Sequence, residues 1–511
     1  MPAISHAPPY PTLPDSFNLA AYVLAKAALT PEKTALELLY PDHVESWHYA
    51  RLSAAVGGVA TGLLAQGLAP GDRILMRLGN SVDFPVLFLA AITAGLVPIP
   101  TSAMLTGPEV AKLCDLTTPA LIVAGEGVAL PATPSCPLLH AEALHDMQEL
   151  PPHAPEMGDP NRLGYIIFTS GTSGHPQAVA HAHRAILARQ MMMQGWYGLT
   201  SDDRLLHAGA FNWTYTLGTG LMDPWTIGAT ALIPAPGTAA TALPDLLQKA
   251  QASIFAAAPG VYRQILRQPM PPMPELRHGL SAGEALPQAT RADWQVATGT
   301  PIHEAFGMSE ISTFLSGSPT HPAPEGATGF AQPGRHIAIL GDDGAPTAFD
   351  EPGILAVDRH DPGLFLGYYG DDRATKARFR GDWYVTGDIA EMAADGAITY
   401  LGRGDDMMNA GGYRVSPLEV EAVMVRFPGV TDCAAIEWEV KPGTTVIACF
   451  YSAVAPLEES ALSAHAASAL ARYKQPRLFR HAAHLPRNAN GKLNRRALRP
   501  IPADPSSSPR Q

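Results

Sequence analysis

Strand-like apolar runs alternate with helical patterns through most of the first 300 residues or so of this chain. Residues 73–78 read as a strand, 83–94 as a helix and 120–123 as a further strand. That alternation predicts a layered α/β architecture with largely parallel sheets. The most apolar stretch, FPVLFLAAITAGLVPIP at 84–100, is shorter than the roughly 20 residues a bilayer requires. Gly95 and Pro98 divide it into a helix and a short buried strand, which places it in the core. From about Gly329 the pattern changes to short strands joined by turns such as Gly341-Asp342-Asp343-Gly344 and Ala394-Asp395-Gly396, which predicts an antiparallel sheet or small barrel.

A polar, glycine-bearing segment at 400–417, YLGRGDDMMNAGGYRVSP, interrupts this order and marks a domain hinge. Directly after it, Ser416-Pro417-Leu418-Glu419 has the form of a capping box. It opens a helix with Val420, Val423, Met424 and Phe427 on its apolar face. Strands are predicted near 433–438, 445–451 and 477–481, with a helix across 457–473. The expected fold class is α/β: a large N-terminal domain of layered α/β subdomains with a small β-barrel-like subdomain (1–402), a hinge and loop (403–416) and a small mobile C-terminal α/β domain (417–499). Residues 500–511 read as a disordered tail.

Length and composition narrow the classes. At 511 residues the chain is too long for one core and two to four domains are expected. With 46% hydrophobic and 16% charged residues it reads as globular rather than disordered. A net charge of −12 without any Lys/Arg-rich block argues against nucleic acid, so an anionic ligand must be held by local donors. Cys114, Cys136, Cys433 and Cys449 lack metal-ligand spacing and read as reduced packing residues in a cytoplasmic protein. The N-terminus, MPAISHAPPYPTLPDSF, lacks the basic and apolar regions of a secretory signal.

The candidate chemistry is concentrated at 164–177, GYIIFTSGTSGHPQ, where an apolar strand runs into a loop of hydroxyl residues and glycines. Such a loop presents clustered N–H and O–H donors with little side chain in the way, which suits a polyphosphate. It is not a Walker-type loop, since G-x-x-x-x-G-K-[ST] has no match there. Taken alone it also fits a surface turn. Four more stretches change that balance: EAFGMSE at 304–310, YVTGD at 384–388, GRGDDMMNAGGYRVSPLEVE at 402–421 and PRNANGKL at 486–493.

In that order and spacing the five stretches resemble the AMP-forming acyl-CoA synthetase and adenylate-forming superfamily, across essentially the whole chain. DFPVLFLAAITAGLVPIP and NWTYTLGTGLMDPW carry a finer resemblance to bacterial benzoate-CoA ligases and medium-chain acyl-CoA synthetases. The resemblance implies ATP, Mg²⁺ and coenzyme A as cofactors. Carboxylate and ATP first form an acyl-adenylate and pyrophosphate, and the acyl group then passes to the thiol of coenzyme A.

By the same resemblance Thr169, Ser170, Gly171, Thr172, Ser173 and Gly174 wrap the β- and γ-phosphates, Ser309 contacts the α-phosphate and Glu310 holds the metal. Phe306, usually tyrosine in the family, stacks on adenine in a slot with Gly283, Glu284, Glu304, Ala305, Gly307 and Met308. Asp388 receives the ribose hydroxyls and Arg403 supports ribose or phosphate. Lys492 brings a cation between carboxylate and α-phosphate, Arg414 supports the adenylation arrangement, and Gly411 and Gly412 let coenzyme A approach the backbone. Lys492 and these glycines serve opposite faces of the small domain, so rotation about Asp405 is expected between half-reactions.

One departure stands out: the loop ends in Pro176-Gln177, where the family commonly has Pro-Lys. The acyl pocket is expected near Phe211, Trp213 and Tyr215, with Met308 and residues 311–314. With no lysine or arginine in those stretches, the expected substrate is a monocarboxylate, either aromatic or alicyclic (benzoate-like) or of short-to-medium chain. Two other readings stay open: loading of a separate carrier protein, or a nucleotide-binding relative that has lost catalysis. The partners expected are the carboxylic acid, ATP and coenzyme A, without a membrane span; a homodimer is the one self-association envisaged.

Overall fold

The computed structural model describes residues 1–170, 176–410, 413–441, 444–487 and 493–498. Its centre is a nine-stranded sheet in the order Phe330–Ala331, Ser312–Ser316, Ile302–Met308, His278–Ala282, Ile254–Ala257, Arg204–His207, Thr230–Pro234, Thr34–Leu39 and Val44–His48. The interior pairs are parallel and the pairs at both ends antiparallel. Interior strands such as Ile254–Ala257 are buried throughout, as a sheet covered on both faces requires.

A second, all-parallel sheet holds Val97–Pro100, Arg73–Arg77, Leu121–Ala124 and Leu138–His140. The apolar stretch that feeds it behaves as expected. The helix Asp83–Thr93 is buried from Phe84 onward, Gly95 turns the chain at φ +73, and Val97–Pro100 enters the sheet. No helix among the described residues is long and apolar enough to cross a membrane.

Two further pieces position the site. Leu163–Ser170 and Pro176–Ala182 form an antiparallel hairpin with Ser170 opposite Pro176 and Thr169 opposite Gln177; Gly367–Tyr368 adds to its edge. A curled half-barrel contains Ile337–Leu340, Gly353–Asp358, Trp383–Met392, Phe379–Arg380 and Ile398–Arg403. The predicted turns at 341–344 and 394–396 are present, closed by backbone bonds from Gly344 to Gly341 and from Gly396 to Ala393.

The C-terminal region has its own sheet, Asp432–Lys441 and Thr444–Ser452 antiparallel with Leu478–His481 added in parallel. The helices Pro417–Met424 and Glu459–Ala469 accompany it. Val420 and Met424 enter that core, and Val423 and Phe427 pack against it, as the sequence pattern predicts. Two local expectations need correction. Ser416 is the N-cap residue but makes no capping bond; its hydroxyl donates to the Leu401 carbonyl, and Glu419 pairs with Lys474 instead of completing a box. The helix expected across 457–473 ends at Ala469 and is followed by a separate 3₁₀ turn, Arg472–Lys474. The four cysteines are free.

Candidate active site

The carboxylate of Glu310 stands at the tip between the antiparallel strands Ile302–Met308 and Ser312–Ser316. Gly307 makes this tight connection possible, because a Cβ there would lie 2.3 Å from the Ser312 carbonyl oxygen. Tyr368, brought in on the strand that edges the 163–182 hairpin, donates its hydroxyl to Glu310 Oε1 at 2.7 Å. Burial first, then the neighbouring Glu310 charge, pushes Tyr368 up to about 12, so it remains a donor. Glu310 Oε2 has no hydrogen-bond partner among the described residues. One buried carboxylate with a spare oxygen fits Mg²⁺, which commonly takes one or two protein carboxylates and completes its shell with water and phosphate.

Asp388 occupies the long half-barrel strand directly opposite Arg403. Gly387 has φ +82, a left-handed turn that favours glycine, and the Thr386 hydroxyl accepts from the Asp388 amide at 3.0 Å. Burial pushes the Asp388 carboxyl up to about 6, against the pull of Arg403 at 3.6 Å and of the neighbouring Thr386 and Tyr400 hydroxyls. The Tyr400 ring also lies 4.8 Å from Phe306, so one tyrosine joins the expected adenine platform to the expected ribose acceptor. Tyr400 was not among the residues singled out from sequence, where it reads as the first residue of a hinge.

The rest of the expected adenine slot divides. Gly283 has φ +97, and Glu284 lies 3.8 Å from Arg487. Glu304 turns its carboxylate to structural partners, accepting from the Leu286 amide at 2.9 Å and pairing with Arg291 at 3.0 Å; burial raises it to about 7. The Ala305 methyl packs in the core with Trp196 and Tyr215.

The four residues expected at the acyl group fall into three environments. Trp213 and Tyr215 meet edge-on at 5.2 Å, and Tyr215 donates to the Leu280 carbonyl at 3.1 Å. Phe211 is buried against Phe84 at 5.4 Å, in a different core. Met308 packs against the half-barrel core.

Beneath this region lies a polar cluster that no local motif announces. Arg189 is buried and grips Asp223 through Nε at 2.7 Å and Nη2 at 2.6 Å, while Nη1 donates to Ser312 Oγ. Tyr197 donates to the same Asp223 at 2.7 Å. Gly218, in the π-helical segment Thr216–Met222, leaves room for the guanidinium: a Cβ there would come within 2.1 Å of Arg189 Nη2. The only sequence signal is the TLGTG glycine pattern inside the stretch already matched to the family.

Gly171, Thr172, Ser173, Gly174, Gly411, Gly412 and Lys492 lie outside the described residues, as do the side chains of Ser170 and Arg414. The described flanks of 488–492 are close together, Arg487 bridging Leu493. Arg487 pairs with Asp432 at 2.6 Å as well as with Glu284. Asp405, the expected hinge residue, binds Arg403 at 3.4 Å and Arg496 at 2.8 Å.

The family model for AMP-binding enzymes matches residues 23–369, and that for their C-terminal domain matches 419–492. The chain belongs to the AMP-binding enzymes. This AMP-binding enzyme is 28% identical to the benzoate–CoA ligase of Thauera aromatica, over 97% of the chain and 98% of that protein. It is also 28% identical to the mitochondrial acyl-coenzyme A synthetase ACSM2A of Homo sapiens, over 89% and 84% respectively. Among solved structures it resembles ATP-bound MatB from Rhodopseudomonas palustris, with a TM-score of 0.85 at 26% identity, covering 94% of the chain and 98% of that one.

Proposed function

We propose that this AMP-binding enzyme is an AMP-forming ligase that joins an aromatic carboxylic acid to coenzyme A. The observation that carries the reading is the convergence of Glu310, the 163–182 hairpin and the linked Phe306, Tyr400 and Asp388. They support reading Glu310 as an anchor for a cation, the strands flanking 171–175 as the arms of a phosphate-binding segment, and Phe306, Tyr400 and Asp388 as a base-and-ribose platform. Benzoate–CoA ligase, matched over nearly its whole length, supports the aromatic acid and coenzyme A; ATP-bound MatB supports the nucleotide.

In the first half-reaction a carboxylate oxygen attacks the α-phosphorus, and the bond to the β-bridging oxygen breaks with its electron pair leaving on pyrophosphate. In the second, the sulfur of coenzyme A attacks the acyl carbon, AMP departs, and the thiol proton passes to solvent. Thr169 and its loop position the phosphates, Ser309 faces the α-phosphate, and Asp388 accepts the ribose hydroxyls. Glu310 would hold Mg²⁺, which screens phosphate charge when bound. Lys492 contributes a cation between two anions; at about 4 Å and an effective dielectric near 20, that contact is on the order of 4 kcal/mol before desolvation. A rotation of the small domain about Asp405 then exposes Gly411 and Gly412 to coenzyme A.

A cytoplasmic setting, where thiols stay reduced, agrees with the four free cysteines. The test is a screen for AMP release with coenzyme A present, using benzoate, cyclohexanecarboxylate, hexanoate and octanoate. Benzoate is expected to lead, and AMP release with none of them would refute the proposal.

A further inference from the structure

The hairpin arm that carries Gln177, Pro176–Ala182, contains no lysine or arginine and so brings no such cation of its own toward the phosphates. The segment attached to its edge does. The strand Gly367–Tyr368 pairs with that arm and leads into the helix Asp372–Lys376, where the Thr375 hydroxyl accepts from the Tyr368 amide at 2.8 Å. Just beyond this helix, the Arg378 amide donates to the Thr375 carbonyl at 3.0 Å, and the Arg378 carbonyl accepts from the Val385 amide at 2.8 Å. These bonds fix Arg378 beside Trp383–Met392, the strand that carries Asp388.

The guanidinium of Arg378 is half-buried, and among the described residues no carboxylate pairs with it within 4.0 Å. Its Nη1 reaches the Thr386 carbonyl only at 3.5 Å, and the Tyr368 hydroxyl is a near neighbour. Burial lowers its pKa, but Tyr368, Tyr384 and the Glu310 charge more than offset that, so the group stays cationic. Other arginines of the interior are better met. Arg189 and Arg335 pair with Asp223 and Asp361, and Arg77 donates to the carbonyls of Ser102, Ala103, Leu105 and Ala129. A cation withdrawn from water and met by one distant carbonyl and a neutral hydroxyl is costly unless an anion completes its surroundings. There is space for one: a Cβ on Gly387 would lie 3.4 Å from Arg378 Nη1 and 3.6 Å from Arg403 Nη2, so both guanidinium groups border the open side of that glycine. Arg403 already serves Asp388 and Asp405. Arg378 is the one of the two with its charge to spare.

Arg378 neighbours both ends of the stretch that the phosphates of ATP must cross. On one side Tyr368 binds Glu310, the expected metal carboxylate; on the other Gly387 immediately precedes Asp388, the expected ribose acceptor. We infer that Arg378 is a phosphate-contacting residue, whose guanidinium donates to the triphosphate of ATP and supplies from the adjoining segment a cation that the hairpin arm lacks at Gln177. This rests on the nucleotide reading of the site given above. None of the motifs that mark the site in the sequence contains Arg378, which lies six residues ahead of the YVTGD stretch.

The experiment measures equilibrium binding of ATP with Mg²⁺ and of adenosine, together with acid-dependent AMP release, in the wild-type enzyme, Arg378→Met and Arg378→Lys. Methionine keeps an unbranched apolar stem and removes the charge; lysine keeps the charge. Arg378→Met is expected to weaken ATP by at least about tenfold, the scale of a lost charge-assisted hydrogen bond, and to leave adenosine unchanged. Arg378→Lys is expected to recover most of that loss. Equal affinity for ATP in wild type and Arg378→Met overturns the inference, and the ligase reading then stands on AMP release by the wild type. A loss shared equally by ATP and adenosine, and not recovered by lysine, assigns Arg378 to packing and overturns the inference too. ATP binding that depends on Arg378 in an enzyme that releases AMP with no acid supports the inference and refutes the ligase reading.

Discussion

The ring of Tyr400 lies 4.8 Å from that of Phe306, the two planes inclined by 34°. Tyr400 also draws the Asp388 carboxyl downward against burial, so it bears on both ends of the expected nucleoside platform. Replacing it with alanine removes the support under Phe306; Tyr400→Phe keeps the ring and drops the hydroxyl. Ring stacking on a base is worth about 1–3 kcal/mol. Tyr400→Ala is expected to raise the KM for ATP by about tenfold and Tyr400→Phe by less, with little change in the KM for the acid.

A pH dependence follows from Asp388. Burial raises its carboxyl from the ordinary range to about 6, so below that pH it is protonated and a poorer acceptor for ribose hydroxyls. Affinity for ATP is expected to fall as pH drops through about 6. The stability term has the opposite direction. Between the unfolded value near 3.8 and about 6 the folded state binds the extra proton, so this group's contribution to stability declines as pH rises. Glu304, raised to about 7, titrates nearby. Asp388→Asn should remove the inflection in ATP affinity, whereas Glu304→Gln should retain it.

Arg189 and Asp223 are both buried, and each offsets the other's desolvation. Removing one partner leaves an uncompensated charge, which typically costs about 3–5 kcal/mol. Arg189→Met is therefore expected to lower the Tm by several degrees, and the double change Arg189→Met with Asp223→Leu to recover part of that loss. Additive losses in thermal unfolding would mean that the pair acts separately.

Gln177 sits directly opposite Thr169 at the base of the expected phosphate loop. A lysine there adds a cation beside the leaving pyrophosphate, a position whose single donor typically changes rates by about 10²–10³. Gln177→Lys is expected to increase adenylate formation by about tenfold or lower the KM for ATP. An unchanged rate and KM would show that the native loop already compensates.

Local patterns were sufficient for elements that bury themselves. Residues 84–92 are apolar on every side and Gly95 ends the run, so the helix and the following strand are readable one residue at a time. The motifs likewise singled out Glu310 and Asp388, which the fold places at a connection between two strands and on the long half-barrel strand. Contacts chosen by tertiary partners were not readable. Ser416 has the spacing of a cap, yet the Leu401 carbonyl takes its hydroxyl. Tyr400 looks like linker because its meaning depends on Phe306, far earlier in the chain. A small pocket lined in part by His181, Arg189, Thr214 and Ser312 is assembled from four separate segments, and no periodicity along any one of them records it.

The central claim is that an acyl-adenylate forms reversibly before coenzyme A takes part. Exchange of labelled pyrophosphate into ATP, measured without coenzyme A, tests it most directly. An aromatic acid should be required for exchange, and Lys492→Ala should reduce it at least a hundredfold by the loss of a positioned donor. Absence of exchange in the wild-type enzyme with every aromatic acid, or exchange undiminished in Lys492→Ala, would contradict the account.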